Sequence, residues 1–274
     1  MGTIQRIAVV GCGWLGTPLA IRLTQQGYDV RGSRQHPSEL PELEQAGISA
    51  AALQLNPHCQ CERPDVIFAG AQLLIINIPP RRKQHDGDYH VAQIRALLKQ
   101  VQQFQIGKVL LISSTSVYGS LQGEVDESVP CEPSTASGTT LLEVEQMLMS
   151  QTGIQASVLR FSGLIGPKRH PGRFLMGKTV DGADAPVNLI HQTDCIGLIE
   201  ALIQRDVWGE IFNASCDEHP SKRLFYQAAS RALGQAEPMF SHQAGSTKII
   251  RNDLIKKTLS YSFQYPDPIA WIQR

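Results

Sequence analysis

The sequence predicts an α/β fold in which a doubly wound parallel sheet carries a small interleaved C-terminal lobe. Across residues 1–165, short apolar runs alternate with amphipathic stretches, which is typical of parallel strands joined by helices. A complete G-x-G-x-x-G follows the first apolar run, which indicates a tight turn from strand into helix. Beyond residue 163, a stretch rich in Gly, Pro and basic residues interrupts the alternation before it resumes. We therefore expect the second lobe to be interleaved with the sheet.

The strands are predicted from short apolar runs that turn residues bound on both sides. The first run, residues 6–10, reads Arg-Ile-Ala-Val-Val and fits a strand buried on both faces. In chain order, we expect strands at 6–10, 28–31, 73–77, 109–113, 156–161, 187–191 and 210–213.

The helices are predicted from apolar residues that recur every three or four positions. The clearest case is the stretch 89–104, where Val91, Ile94, Leu97, Leu98 and Val101 share one face. Further helices are expected at 15–26, 141–149, 193–205 and 221–233.

The domain organisation follows from this order of elements. Residues 1–165 are expected to form a Rossmann dinucleotide-binding core. Residues 166–274 are expected to form a small substrate lobe, with the strands 187–191 and 210–213 returning to the core.

Composition excludes several classes of function. The 274 residues include 25 Lys+Arg and 25 Asp+Glu, so the formal net charge of zero argues against a nucleic-acid partner. The hydrophobic fraction of 42% argues against disorder. The sequence has no secretory-signal pattern and no run long enough to span a membrane, so we expect a cytoplasmic protein. The six cysteines include no C-x-x-C pair, and we expect no metal site.

The glycine motif predicts a dinucleotide site. It reads Gly11-Cys-Gly13-Trp14-Leu15-Gly16, lies between a predicted strand and a predicted helix, and would present backbone amides to a pyrophosphate. Gly11 allows the tight turn, Gly13 lets the backbone approach the phosphates, and Gly16 permits close packing of helix on strand.

The tip of the second strand favours NADP over NAD. NAD sites usually place an acid there to bind the ribose hydroxyl, whereas this sequence reads Gly32-Ser33-Arg34. Arg34 can pair with a 2′-phosphate through two hydrogen bonds, and Ser33 can donate to it. The alternative is that Arg34 is a solvated loop charge.

The chain resembles the extended short-chain dehydrogenases/reductases, the family of nucleotide-sugar epimerases and dehydratases. The resemblance begins at Ser113-Ser-Thr-Ser-Val-Tyr-Gly119, which ends a predicted strand. Further motifs keep the family's order: Glu127-Ser-Val-Pro130, Val144-Glu-Gln146, Leu159-Arg-Phe161 with Gly166-Pro167, Leu189-Ile-His191 with Asp194, and Phe212-Asn-Ala214. The glycine motif, the Ser-rich run and Arg169-His-Pro-Gly-Arg-Phe174 together look closest to an atypical, YeeZ-like branch.

The resemblance implies a catalytic Tyr-x-x-x-Lys pair, but its positions fall here on Ser137 and Leu141. A serine hydroxyl is a poor acid and leucine carries no charge, so family-type chemistry through this pair is not expected. The family's Ser/Thr falls on Ser114 and is retained. Tyr118 and His191 are the candidates for a substitute acid.

Other cofactor contacts are expected beside these motifs. Ser113, which begins the Ser-rich run, and Arg160, in the motif Leu159-Arg-Phe161, are also predicted to contact the dinucleotide. Asn77, followed by Pro79, ends a strand and is expected to line the nicotinamide side; the alternative is that Asn77 caps a loop. Asp194 either caps the helix that follows it or reaches the site.

A basic segment predicts an anionic substrate. Residues 146–180 contain five basic side chains and no Asp or Glu, and in the family this region lines the substrate pocket. Arg169, His170 and Arg173 are therefore the candidate substrate-binding residues. The alternative is a solvated basic loop.

Two functions remain open from the sequence. The chain is either an NADP-dependent oxidoreductase or epimerase with a non-standard acid, or an NADP-binding sensor without turnover. The family's dimer helices correspond to 89–104 and 141–149, and the apolar residues of the second predict a homodimer.

Overall fold

The computed structural model describes residues 4–80 and 87–273. Its strands are β1 Arg6–Val10, β2 Asp29–Arg34, β3 Ser49–Ala52, β4 Leu73–Ile76, β5 Lys108–Ser114, β6 Glu124–Val125, β7 Gln155–Phe161, β8 Gly163–Ile165, β9 Thr179–Val180, β10 Leu189–His191, β11 Ile211–Ala214, β12 Met239–Phe240 and β13 Ile249–Ile250. Its α-helices are α1 Gly16–Gln25, α2 Pro41–Gln45, α3 Pro64–Phe68, α4 Gly87–Gln103, α5 Ala136–Met149, α6 Gln192–Arg205, α7 Lys222–Ala232, α8 Asp253–Leu259 and α9 Pro268–Ile272.

The predicted doubly wound sheet is confirmed. Seven strands form a parallel sheet in the order β11-β7-β5-β4-β1-β2-β3, so the chain winds outward in both directions from the neighbours β1 and β4. In such sheets, ligands bind at the carboxyl ends of the strands where the winding direction reverses. Gly11 follows β1 and Asn77 follows β4, so both predicted cofactor residues lie at this reversal point.

The chain divides into two compact units. Unit 1 comprises residues 1–113, 135–159 and 202–211, and unit 2 comprises residues 114–134, 160–201 and 212–274. In unit 1, the apolar face predicted for 89–104 is buried, because the α4 residues Val91, Ile94, Leu97, Leu98 and Val101 all belong to one hydrophobic core cluster. The predicted split at residue 165 stays a prediction.

Helix α5 begins five residues earlier than the apolar pattern predicts. The side chain of Thr135 accepts a hydrogen bond from the Gly138 amide and so caps the helix N-terminus. Its first turn is polar, and the apolar periodicity starts only at Leu141, which is why the pattern missed it.

The strand predicted at 187–191 differs from the expectation. It was expected to return to the main sheet, but β10 spans Leu189–His191 and pairs with β8 in a separate two-stranded sheet. The short β8 begins two residues after β7, so the chain offers β10 a parallel partner within unit 2. An apolar run reports burial but not the strand it pairs with.

Candidate functional site

The turn after β1 is built by glycines that the backbone requires. A Cβ atom on Gly11 would lie 2.3 Å from the carbonyl oxygen of Asn77, and its φ of +101° disfavours any other residue. A Cβ on Gly16 would lie 2.2 Å from the carbonyl oxygen of Gly11. These two glycines therefore bring the turn, the start of α1 and the end of β4 into direct contact.

Gly13 differs from its two neighbours in the motif. It is exposed, and a Cβ there would meet nothing within 4 Å. Packing within the chain gives no reason for a glycine at this position, whereas close approach of a pyrophosphate to the backbone does. The turn thus fits the phosphates of a dinucleotide. Trp14 is half-buried and Leu15 is buried, so Leu15 packs inward at the helix start.

Asn77 holds the glycine turn from the β4 side. Its Nδ2 donates to the Gly11 carbonyl at 2.9 Å, and its backbone amide donates to the Val10 carbonyl at 2.9 Å. The side chain therefore caps the turn, as one of the two sequence interpretations had it. Pro79 is exposed two residues further on, and its role at the nicotinamide stays a prediction.

An acid that the sequence interpretation missed, Glu42 on α2, pairs with Arg34 at the tip of β2. Ser33 is buried and its Oγ accepts from the Gly11 amide at 3.3 Å. Arg34 donates through Nη2 to Thr17 Oγ1 at 3.0 Å and pairs with the Glu42 carboxylate on α2. A guanidinium held between a hydroxyl and a carboxylate is pre-positioned, and an incoming phosphate must compete with Glu42 for it.

The end of β5 is connected to α5 within unit 1. The Ser113 hydroxyl donates to the Glu145 carboxylate, and both residues are buried. Glu145 lies one turn beyond Leu141 and two turns beyond Ser137 on the same helix. Ser137 is half-buried at the helix start and Leu141 is buried. The sequence interpretation included Glu145 in the family motif Val144-Glu-Gln146 but gave it no role, because the function of a buried carboxylate in an apolar helix face is recognisable only from its partner.

In unit 2, Ser114 begins a tight turn. Its Oγ accepts from the Ser116 amide at 3.2 Å and caps a 3-10 helix over Thr115–Tyr118. That bond uses a lone pair of the oxygen, and no described residue accepts the hydroxyl proton, so Ser114 can still donate to a ligand oxygen.

Tyr118 is fully buried in a polar cluster. Its hydroxyl donates to Asn213 Oδ1 at 3.0 Å and accepts from Arg160 Nη1 at 2.7 Å, and the Arg160 guanidinium carbon lies 5.0 Å from the ring centre. The Glu127 carboxylate accepts from the backbone amide of Asn213 at 2.6 Å. Burial raises the pKa of Tyr118, and the Arg160 charge opposes that rise only in part.

Both candidate histidines take part in local contacts of unit 2. His191 is buried, with its ring centre 4.0 Å from that of Tyr265 and 4.9 Å from that of Trp271, and its Nδ1 accepts from the Thr193 amide. Burial lowers the pKa of His191 to about 4, so its ring is neutral at pH 7. His170 Nδ1 accepts from the Gly172 amide, and its ring lies 5.6 Å from that of Trp271.

The basic segment also uses its charges locally. Arg169 is exposed, its Nε donates to the Leu164 carbonyl at 2.9 Å, and its guanidinium carbon lies 5.9 Å from the Phe174 ring centre. Arg173 is exposed. The substrate-binding roles of Arg169, His170 and Arg173 stay predictions.

Asp194 has a role that neither sequence interpretation described. It is fully buried and its carboxylate accepts from the Tyr261 hydroxyl and from the amides of Gln264 and Tyr265, at 2.7–3.0 Å. The acid therefore anchors the segment before α9, which brings Tyr265 against His191.

Comparisons with known proteins give one family over most of the chain. The model of the NAD dependent epimerase/dehydratase family matches residues 7–183. Protein YeeZ of Escherichia coli strain K12 is 37% identical over 270 residues, which cover 97% of this chain and 98% of that protein. An uncharacterized UDP-glucose epimerase, YtcB of Bacillus subtilis, is 28% identical over 141 residues, covering 48% of this chain and 43% of that protein.

Solved structures support the same fold. A conserved protein of unknown function from Silicibacter pomeroyi has a TM-score of 0.80 at 22% identity, covering 98% of this chain and 97% of that one. The dTDP-glucose 4,6-dehydratase of Bacillus anthracis, solved in complex with NAD, has a TM-score of 0.77 at 14% identity, covering 98% and 96%. Among residues 4–80 and 87–273, none of the helices has the length and apolar character needed to cross a membrane.

Proposed function

The chain belongs to the NAD-dependent epimerase/dehydratase family, whose members bind an NAD(P) cofactor, and from that premise we propose an NADP-dependent oxidoreductase or epimerase with a non-standard acid. Its substrate is a small anionic or nucleotide-linked molecule. The observation that carries the proposal is Gly13, which lies open in a turn that Gly11 and Gly16 otherwise pack tightly. A bound nicotinamide would supply the hydride acceptor or donor.

The preference for NADP rests on Arg34. The guanidinium lies beside α1, held by Thr17, and its charge suits a 2′-phosphate better than a ribose hydroxyl. Glu42 occupies part of its hydrogen-bonding capacity, so the phosphate must displace or share that carboxylate. Arg34 and Glu42 together therefore determine how much more tightly the site binds NADP than NAD.

Replacing Arg34 and Glu42 separately tests this preference. We expect Arg34→Ala to weaken NADPH binding roughly 10- to 100-fold, the worth of a charge-assisted hydrogen bond, and to leave NADH binding within about threefold. Glu42→Gln removes the competing charge and is expected to tighten NADPH binding severalfold. Titration calorimetry with both dinucleotides measures these changes. An equal loss of NADH and NADPH affinity in Arg34→Ala would show that the preference is misassigned.

The acid–base step must use other groups than the family pair. We propose that Ser137 and Leu141 have replaced the family's Tyr and Lys, and that Ser114 donates a hydrogen bond to the substrate oxygen. As a poor acid, Ser114 positions that oxygen and does not protonate it. The Tyr118 hydroxyl already makes two buried hydrogen bonds, and His191 is enclosed by Tyr265 and Trp271, which argues for a positioning role of both in the free protein.

The same observations favour a second candidate function. A chain that keeps the glycine turn but encloses its candidate acids fits an NADP-binding sensor without turnover. The two functions share the cofactor site and differ in whether a hydride is transferred.

Binding and turnover together separate the two functions. We expect NADPH to bind, and its nicotinamide absorbance to change in the presence of phosphorylated or nucleotide-linked ketones, with NADP and the corresponding alcohols giving the reverse change. Tight binding without turnover across a broad panel supports the sensor and contradicts the enzyme. Failure to bind either dinucleotide contradicts both.

A cytoplasmic homodimer remains part of the proposal. Helices α4 and α5 pack against each other within unit 1, and Met147 and Met149 are half-buried against its hydrophobic core. Leu142 is also half-buried, and a dimer formed through these helices would bury it further together with the two methionines. Sedimentation equilibrium measures the association.

A further inference from the structure

The C-terminal lobe brings a lysine to the turn that follows the Ser-rich run. Strand β13 pairs with β6, and the Ile249 amide donates to the Gly123 carbonyl at 2.8 Å. Three residues before Ile249, Ser246 Oγ donates to the Leu121 carbonyl at 3.2 Å. These bonds fix the backbone of Lys248 beside the segment that leaves the Ser114–Gly119 turn.

The Lys248 ammonium donates to the carbonyl of Gly119, which is the last residue of that turn. Gly119 is itself closely packed, because a Cβ there would lie 2.0 Å from the Glu132 carbonyl oxygen. The ammonium thus lies at the opposite end of the 3-10 turn from Ser114.

Lys248 has no carboxylate partner within the described part of the chain. Two other lysines do: Lys108 pairs with Asp206, and Lys256 pairs with Asp217 at 2.7 Å. The Lys248 side chain is half-buried, and burial alone lowers its pKa, with no charged group acting on it. A partly desolvated ammonium bound to one neutral carbonyl keeps two donors and an uncompensated charge.

We propose that Lys248 binds an anionic group of the substrate, a phosphate or a carboxylate, beside the Ser114–Gly119 turn. This inference rests on the proposed function and adds the residue that receives the anion. The hydrogen bond to the Gly119 carbonyl orients the Lys248 ammonium. Its two other N–H groups can then donate to an anion. The charge that is costly in the free protein becomes favourable when an oxyanion supplies the missing acceptors.

The test uses inorganic phosphate and malonate as separate probes, with chloride at matched ionic strength as the reference. We expect at least one probe to raise the thermal unfolding midpoint of the native chain, because a ligand of the folded state stabilises it. Lys248→Met should weaken the apparent affinity roughly 10- to 100-fold, whereas Lys248→Arg, which keeps the charge, should retain most of it. A response to phosphate alone assigns a phosphorylated substrate, and a response to malonate alone assigns a carboxylate.

Lys222 provides the matched control. Its ammonium also donates to a backbone carbonyl in unit 2, that of Asp181 at 2.9 Å, so Lys222→Met removes a similar structural bond. We expect Lys222→Met to respond to the probes as the native chain does. The inference is overturned if the native chain responds to neither probe or if Lys248→Met responds unchanged. NADPH binding by the native chain is measured in parallel: its absence while the anion response is intact counts against the proposed function alone.

Discussion

Gly16→Ala is expected to destabilise the protein and Gly13→Ala is not, whereas both variants are expected to lose dinucleotide binding. A Cβ on Gly16 would lie 2.2 Å from the Gly11 carbonyl oxygen and 3.0 Å from Asn77 Nδ2, so Gly16→Ala forces α1 away from the turn. Overpacking of this kind costs about 3 kcal/mol. A Cβ on Gly13 meets nothing within 4 Å, so Gly13→Ala is expected to fold with native stability or slightly above it.

Both variants are expected to lose NADPH affinity by about 100-fold or more, for different reasons. In Gly16→Ala the turn itself is displaced. In Gly13→Ala the turn is intact and the methyl group occupies the space that the pyrophosphate needs. Urea unfolding and titration calorimetry measure the two quantities. Gly107→Ala is the control, since a Cβ at Gly107 also meets nothing within 4 Å and Gly107 lies outside the motif.

Native affinity in Gly13→Ala would contradict the assignment of this turn as the phosphate site. The pair is informative because a loss of binding in Gly16→Ala alone follows from any damage to the fold. Only Gly13→Ala, which is expected to stay stable, distinguishes loss of the phosphate contact from damage to the fold.

The local patterns of this sequence predicted the elements that a single stretch of chain determines. The strand at Arg6–Val10, the glycine turn and the buried face of α4 each follow from neighbours within about ten residues. Strand β3 was not predicted, because Ser49–Ala52 is a Ser-Ala-Ala-Ala run whose residues have little β propensity. Its place at the edge of the sheet comes from pairing with β2.

The candidate site was predictable only in part, because several of its contacts join residues far apart in the chain. Tyr118 and Asn213 are 95 positions apart, and Lys248 and Gly119 are 129 apart. The sequence identified Tyr118 as a candidate acid from its motif, but the bonds that occupy its hydroxyl come from β7 and β11. Periodicity and spacing carry no information on such pairs. The roles of the predicted site residues accordingly remain proposals.

Removal of the Asp194 carboxylate is expected to destabilise the C-terminal part of unit 2 strongly. Asp194→Ala leaves the amides of Gln264 and Tyr265 without their acceptor and the Tyr261 hydroxyl without its partner. Unmade hydrogen bonds of buried groups cost about 1–3 kcal/mol each, so we expect a loss of about 3 kcal/mol in the free energy of unfolding. The segment also carries Tyr265 to His191, so its release should expose the His191 ring.

Asp194→Asn refines this expectation, and an exposed ion pair controls it. The amide keeps one carbonyl oxygen but turns an NH2 group toward a backbone amide, so roughly half of the loss is expected. Glu237→Ala removes a surface partner of Arg231 and is expected to leave the unfolding midpoint unchanged. Urea unfolding measures the global effect, and hydrogen exchange across residues 261–272 measures the local one. If Asp194→Ala kept both native stability and native protection there, the anchor would lie elsewhere, because no other described carboxylate accepts these three bonds.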